Sequence, residues 1–462
     1  MNPEAHEIER GLGASLRAML AAWLVLTVLQ VMYAGSFMLQ MHYFSERSWQ
    51  AMPSWLPGLR QALRLAVLPP LVVLGASALR YARATLAGDR MLALLGGCAL
   101  LLAFALDLTV AARESLDHAR LWESTRRWYD LQRKLWIAQA LIESAGLGLL
   151  GVALARGGRL RGGRTAGWMV LPLVVRGMLP VMLYLAHWFP DWRKSSQVLL
   201  VHGGLMLAFV VAALLFARLL WWHARVVPVA ERPAHAAVQL RSHASAMLAR
   251  LVVLVGVAVL TVLAARSRSL DMLKFVLVVG PLAALVIGLW LLAASTGFAW
   301  ASVSGTELGL AAHLAVALLA ATVLIELHGL VLICGLFWGQ GSIMRRAEGL
   351  QQVAPMLSLA GQVLGVVALV ALLRALARVG AAHGVPDAAG RALRIGGALL
   401  GLVVAATLLQ RRTQVLGARP DGAGALLLFG VLLLAGAIAL FVAYIKLVRE
   451  TAEALGPARP RW

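Results

Sequence analysis

Charged residues are scarce in this chain of 462 residues, and their scarcity excludes an ordinary soluble fold. Asp, Glu, Lys and Arg make up only 14% of the residues, whereas hydrophobic residues make up 61%. A typical soluble domain carries about 25% charged residues. A single soluble core also stops growing near about 250 residues, so it could not hide this much apolar surface. Lipid must therefore form part of the solvent.

Cysteine and lysine are rare as well. Cys98 and Cys334 lie in separate apolar runs with no metal-ligand spacing nearby, so we expect neither a disulfide framework nor a zinc site. The net charge of +21 comes almost entirely from arginines scattered between apolar runs. This scatter favours basic loops beside a lipid bilayer over nucleic-acid binding. The Ala, Leu, Gly and Arg bias is typical of a GC-rich bacterial genome, so we expect a bacterial cytoplasmic membrane.

Signatures of known chemistry are also missing. There is no Gly-rich phosphate loop, no H-E-x-x-H and no G-x-S-x-G. His187, His202 and His313 occur in or beside apolar runs, but haem needs two histidines on facing helices, so no cofactor is predicted. The polar N-terminus lacks a basic region before a short apolar core, and we do not expect a cleaved signal peptide.

Long apolar runs predict an all-α polytopic membrane protein of about twelve transmembrane helices. A spanning helix needs roughly 17–25 mainly apolar residues. The segment 62–82 is weak because its uncharged stretch between Arg64 and Arg80 is short and contains Pro69-Pro70, but it can still span if these arginines snorkel. The segment 393–410 is also short. The predicted spans are 18–40, 62–82, 91–112, 135–156, 167–189, 197–219, 246–265, 273–299, 309–338, 352–374, 393–410 and 422–445.

Polar segments divide these spans into two halves. The polar connection 113–134 is predicted to be a helical extension that projects from the membrane. The segment 222–243, with Pro228 and Pro233, is typical of a linker. The predicted division is therefore a polar segment 1–17, a first six-helix half 18–221, the linker 222–243, a second six-helix half 244–446 and a polar tail 447–462.

The two halves resemble each other in sequence. Polar residues match at an offset of 219, which argues against chance alignment of leucines, the alternative explanation. Six helices per half predict parallel repeats, with both termini on one side of the membrane. Arginine placement slightly favours a cytoplasmic location for the termini. The matches are Asp107-Leu108 with Glu326-Leu327, Arg126-Arg127 with Arg345-Arg346, Leu131-Gln132 with Leu350-Gln351, and Glu143 with Gln362.

Acidic residues at membrane depth are the candidate functional groups, because each is costly to place there. Glu326 lies in the middle of an apolar run, and a lone carboxylate there is suited to carrying a proton. Asp107 is its repeat mate, although it lies nearer the end of its span. Used as a pair, the two acids would face a shared central cavity from equivalent helices. Glu143 and its mate Gln362 are further candidates, and His328 is expected on a different helix face from Glu326. The alternative for each is a structural interhelical hydrogen bond.

Arg176, between Pro172 and Pro180, is the candidate counter-ion, with Glu143 or Asp107 as its expected partner. Small residues near Glu143, and the pairs Gly361-x-x-x-Gly365 and Gly397-x-x-x-Gly401, are typical of close helix packing.

The loop at 86–91 contains Gly88, Asp89 and Arg90, followed by Met91. A Gly followed by Asp-Arg, together with a six-plus-six plan, is similar to major facilitator transporters. The Gly-Arg-Arg that should follow is absent, and the second half has no counterpart around 300–308. The sequence therefore assigns no family.

Three functions remain open. The favoured one is a secondary-transporter-like or flippase-like protein, not an enzyme, acting on a small molecule, a lipid or an ion. The first alternative is a non-transporting membrane scaffold or assembly subunit that binds a protein partner through 113–134. The second is an intramembrane enzyme acting on a lipid-linked substrate with a carboxylate as base.

Overall fold

The computed structural model describes residues 3–45, 52–85, 87–119, 126–160, 195–226, 233–267, 270–301, 306–416 and 423–456. Within these ranges the fold is all-α, with 95% helix and no strand, as predicted. The helices are α1 (Pro3–Ser45), α2 (Leu56–Arg83), α3 (Ala87–His118), α4 (Arg126–Leu160), α5 (Ser195–Val226), α6 (Pro233–Ser267), α7 (Leu270–Ala301), α8 (Thr306–Trp338), α9 (Ile343–Ala382), α10 (Ala388–Leu416) and α11 (Ala423–Ala454).

Ten helices in the described part of the chain are long and apolar enough to cross a membrane. They are α1 to α4 and α6 to α11, which fits a multi-pass integral membrane protein. The predicted span 197–219 lies in α5, and the span 167–189 lies outside the described residues. The two weakest predictions hold as helices: α2 continues through the buried Pro69 and Pro70, and α10 covers 393–410.

Several helices extend beyond the apolar runs that predict them. The first candidate span begins at Leu12, inside the predicted polar segment 1–17, and Arg17 is 3% exposed. Both ends of the predicted linker 222–243 are helical, which leaves 227–232 between α5 and α6. α11 continues past 446 with Leu447 and Thr451 buried. These flanking residues pack against neighbouring helices, and hydropathy alone does not reveal such contacts.

α8 is the central helix of the bundle. Helices that follow one another in the first four and in α6 to α11 pack together, and α1 also packs on α5 and α6 on α11. α8 additionally contacts α1, α2, α3 and α5. Of the two buried apolar clusters, one draws on α1 to α5 with α8 and α9, and the other on α6 to α11. α8 contributes to both, so its side chains can connect the two parts of the chain.

Glycines determine where helices approach closely. A Cβ on Gly96 of α3 would lie 2.9 Å from the Gly146 carbonyl oxygen of α4. In the predicted packing pairs, Gly361 lies against Ile325 of α8, whereas Gly397 and Gly401 face open space. Only the first pair therefore lies at a helix contact between described residues, and the second lies on the outer surface.

Candidate functional site

Glu326 lies near the middle of the span Leu310–Trp338 of α8, where the sequence predicts a functional carboxylate. Its Oε1 accepts a hydrogen bond from Arg250 Nη2 of α6 at 2.8 Å. Its Oε2 is buried and has no hydrogen-bond partner. Gly288 of α7 makes room for this oxygen, because a Cβ there would lie only 3.2 Å from Oε2. The carboxylate thus has one oxygen bound to a cation and one oxygen open.

His328 faces the opposite neighbour, as its two-residue spacing from Glu326 predicts. The ring is 2% exposed, and its Nδ1 lies 2.6 Å from Ser115 Oγ of α3. α8 is therefore held on one side by α6 through Glu326 and on another by α3 through His328.

Asp107 lies inside α3 rather than near the end of its span, because the helix continues to His118. Its Oδ1 lies 3.4 Å from Arg64 Nη2 of α2, and the two side chains are 14% and 12% exposed. The other guanidinium nitrogen of Arg64 donates to Glu114, which also accepts from Gln132 of α4. Arg64 therefore bridges two carboxylates within the bundle.

Glu143 belongs to the same polar region. It is buried on α4 and accepts from Gln139 at 2.7 Å and from Gln30 of α1 at 3.4 Å. Its charge also acts on the carboxylate of Asp107. Its repeat mate Gln362 is exposed and donates to Ser358 of its own helix. The two matched positions thus have different surroundings.

The predicted counter-ion Arg176 lies outside the described residues. The arginines paired with Asp107 and Glu326 are Arg64 and Arg250, which sequence reasoning missed as counter-ions. Arg250 stands inside an otherwise apolar predicted span, and a cation at that depth needs a partner. That signal pointed to an ion pair. The contacts of Asp107 and Glu326 do not include each other, so a cavity shared by both acids stays a prediction.

The polar connection 113–134 is helical at both ends, which agrees with its predicted helicity. Arg113 and Asp117 form an ion pair on α3 with side chains only 15% and 22% exposed, while Glu114 is bound to Arg64. These charges serve contacts inside the bundle. On α4, Arg127 and Asp130 are exposed and free to meet solvent or a partner.

A buried polar contact that was not predicted from the sequence joins α6, α7 and α11. His243, inside the predicted linker, lies with Nδ1 3.1 Å from Ser295 Oγ and Nε2 2.7 Å from Tyr444 Oη. All three side chains are almost fully buried. A histidine at the edge of an apolar run is the only signal that could have suggested it.

Replacing Tyr444 by phenylalanine should destabilise the protein by about 1–3 kcal/mol, because the buried His243 Nε2 loses its partner. The measurement is the thermal midpoint of purified protein in detergent. Ser245→Ala is the control, because Ser245 is exposed on α6 and its hydroxyl bonds only Arg241 of its own helix. Equal midpoints for the two variants would contradict a stabilising role for the contact.

Metal chemistry finds no support in the described ranges, where no group of three or more His, Cys, Asp or Glu side chains could hold an ion. His313 is buried against Trp300, with ring centroids 5.6 Å apart, while His187 and the side chain of His202 lie outside the described residues.

No protein-family profile matches the sequence, and comparison with curated proteins and with solved structures gives no significant match.

Proposed function

We propose that the protein is a membrane transporter of the secondary-transporter or flippase type, in which Glu326 is the proton- or ligand-linked carboxylate and Arg250 its counter-ion. One observation carries the proposal: the central helix α8 holds a carboxylate with one oxygen on an arginine and the other, Oε2, buried without a partner. A buried polar atom left unsatisfied needs a reason, and binding of a proton or ligand is one.

The chemistry follows from the pairing. An ionised carboxylate binds a guanidinium through a charge-assisted hydrogen bond, which is roughly twice as strong as a neutral one. A proton or a cationic ligand at Oε2 cancels the negative charge and weakens the hold on Arg250. The contact between α6 and α8 then loosens, while the His328 contact with α3 is unaffected. Binding at Glu326 would thus bias the position of α8 between its neighbours, which alternating access requires.

Asp107 and Arg64 supply a second carboxylate–arginine pair, at the repeat-matched position. This pair differs from the pair of Glu326 and Arg250 because Arg64 also binds Glu114. Asp107 and Glu114 therefore compete for the same guanidinium group. We assign Asp107 and Glu143 supporting roles in the same polar region, where the charge of Glu143 acts on Asp107.

The packing of the helices supports two related halves but not a strict symmetry. α3 and α8, which carry the matched acids, run parallel: Ser115 meets His328, and Ala119 further along α3 meets Gly335 further along α8. Parallel matched helices are expected for repeats related by an axis along the membrane normal. α8 also packs against α1 and α2, whereas α3 makes no comparable contacts with α6 and α7 among the described residues. In the arrangement that we propose, the second half is therefore inserted into the first.

The contacts also favour both termini on one side. Arg241, near the start of α6, donates to the carbonyl of Gly456 just beyond α11. Arg80, near the end of α2, stacks on Trp300 at the end of α7, which is close to the start of α6. Since α1 packs antiparallel to α2, with Arg60 over Phe37, α1 also starts at this end. We place this end, with its arginines, in the cytoplasm.

Thermal unfolding of purified protein at pH 5.5 and pH 8, against a panel of metabolites, lipids and ions, tests the proposal. A ligand present at about 100 times its Kd raises native-state stability by about 2.7 kcal/mol. We expect a hit whose effect depends on pH in the wild type and is independent of pH in Glu326→Gln.

Glu450→Gln is the matched control. Glu450 also pairs with an arginine, Arg391, but at the end of α11 and away from α8. This variant should keep both the hit and its pH dependence. If Glu326→Gln responds to pH and ligands exactly as Glu450→Gln does, Glu326 is structural. The scaffold alternative then takes first place, with the exposed Arg127 and Asp130 as its docking surface.

A further inference from the structure

The contact between α3 and α8 fixes the hydrogen on one nitrogen of a buried histidine. Ser115 Oγ donates its only hydrogen to the Ala111 carbonyl oxygen at 2.9 Å. It must therefore accept from His328, whose Nδ1 lies 2.6 Å away, so Nδ1 carries the hydrogen. Neutral His328 then presents a bare Nε2, which is buried and has no hydrogen-bond partner.

The hydrogen of neutral His118, at the end of α3, is assigned to a ring nitrogen in the same way. Its Nδ1 lies 2.7 Å from the Glu114 carbonyl oxygen, which can only accept, so this nitrogen also carries the hydrogen. Its Nε2 is bare when the ring is neutral. The side chain is exposed, and its ring centroid lies 6.4 Å from that of His328 at an interplanar angle of 76°. The two helices thus bring one exposed and one buried imidazole ring close together.

We propose that His118 and His328 form a proton-binding site at the α3–α8 contact, in which one proton is shared between the two Nε2 atoms. The proton binds first at exposed His118 Nε2, and passes to His328 Nε2 through a small rotation of the His118 ring or one bridging water. No covalent bond to carbon forms or breaks, and the pair gains one positive charge. This inference rests on the proposed transport function and adds to it a second proton site on α8, separate from the one proposed at Glu326.

Few other groups near the two rings are available to bind this proton. On α8 itself, Glu326 is bound to Arg250 on another face. On α3, the Glu114 carboxylate is occupied by Arg64 and Gln132. Among the described groups, His118 is the one whose charge acts on the His328 ring, and two like charges there would repel each other, so the pair holds one proton and not two. Protonation therefore strengthens the link between α3 and α8 specifically.

The test is nitrogen NMR of protein labelled with ¹⁵N-histidine and purified in detergent, titrated from pH 8 to pH 5. His328→Gln identifies the His328 signals by their loss. We expect His328 to be the Nδ1–H tautomer at pH 8 and to gain a proton during the titration. His118→Ala removes the second acceptor, so half-protonation of His328 should move to lower pH by about half a unit or more. His383→Gln, which removes an exposed histidine after α9, should leave the His328 signals unchanged.

Three results would overturn the proposal. An Nε2–H tautomer at pH 8 would contradict the geometry, and a His328 that stays neutral down to pH 5 would exclude proton binding. A midpoint that is unchanged or raised in His118→Ala would show independent or merely repelling rings. This readout needs no transport substrate. The transport proposal can therefore fail in the ligand screen while the proton site stands, and the reverse also holds.

Discussion

Arg64→Met is expected to destabilise the protein by about 3–5 kcal/mol, because it leaves two carboxylates inside the bundle without their cation. Asp107 and Glu114 both bind Arg64, and all three side chains are less than one-fifth exposed. The carboxylates must then either stay charged in a poorly solvated place or take up protons. The measurement is the thermal midpoint in detergent, together with the yield of folded protein.

Two further variants decide whether the loss of stability comes from the carboxylates that are left without a cation. Arg127→Met removes an exposed arginine of α4 and should change stability by less than about 0.5 kcal/mol. Adding Asp107→Asn and Glu114→Gln to Arg64→Met neutralises the carboxylates and should recover most of the lost midpoint. If Arg64→Met behaves like Arg127→Met, the ion pairs contribute nothing. If the triple variant is no better than the single one, packing of the arginine stem matters more than its charge.

Hydropathy was enough to find the helices. The described helices coincide with eleven of the twelve predicted apolar segments, because a run of about 20 apolar residues has few other solutions in lipid. Even the Pro69-Pro70 segment is helical, and both prolines are buried in a helix that packs on α1, α3, α8 and α9. Helix ends were predicted less well, because a polar residue such as Arg17 or His243 extends a helix only when another helix covers it.

The candidate site was predicted in part. Glu326, Asp107 and Glu143 could be found because a carboxylate in an apolar run is conspicuous. Their partners could not, because hydropathy does not say which helix faces which. The sequence matches Asp107 with Glu326, yet their arginines come from non-matching helices, α2 and α6. The predicted repeat therefore gives no information about which cation pairs with each acid.

The contact between His328 and Ser115 could not be predicted from the sequence either. Ser115 is one of many serines on a helix, and it becomes informative only because α3 and α8 run parallel and close at that level. The close approach depends on Gly335, which cannot be recognised among 44 glycines by sequence alone.

Gly335→Ala should therefore be among the most disruptive of the glycine substitutions on α8. An added Cβ would overlap the carbonyl oxygen of Ala119 and lie 2.5 Å from the Ala119 Cβ, so the ends of α3 and α8 would have to separate. Overpacking of this kind costs about 1–3 kcal/mol. Gly329→Ala is the control on the same helix: its Cβ meets nothing within 4 Å, and removing a helical glycine should stabilise by roughly 0.5–1 kcal/mol. The thermal midpoints of the two variants should thus move in opposite directions.

Separation of the helices should also lengthen the contact between Ser115 and His328, so the Nδ1–H tautomer of His328 should be lost in Gly335→Ala and kept in Gly329→Ala. Matching midpoints, or an intact tautomer in both, would mean that α3 and α8 do not meet at this glycine.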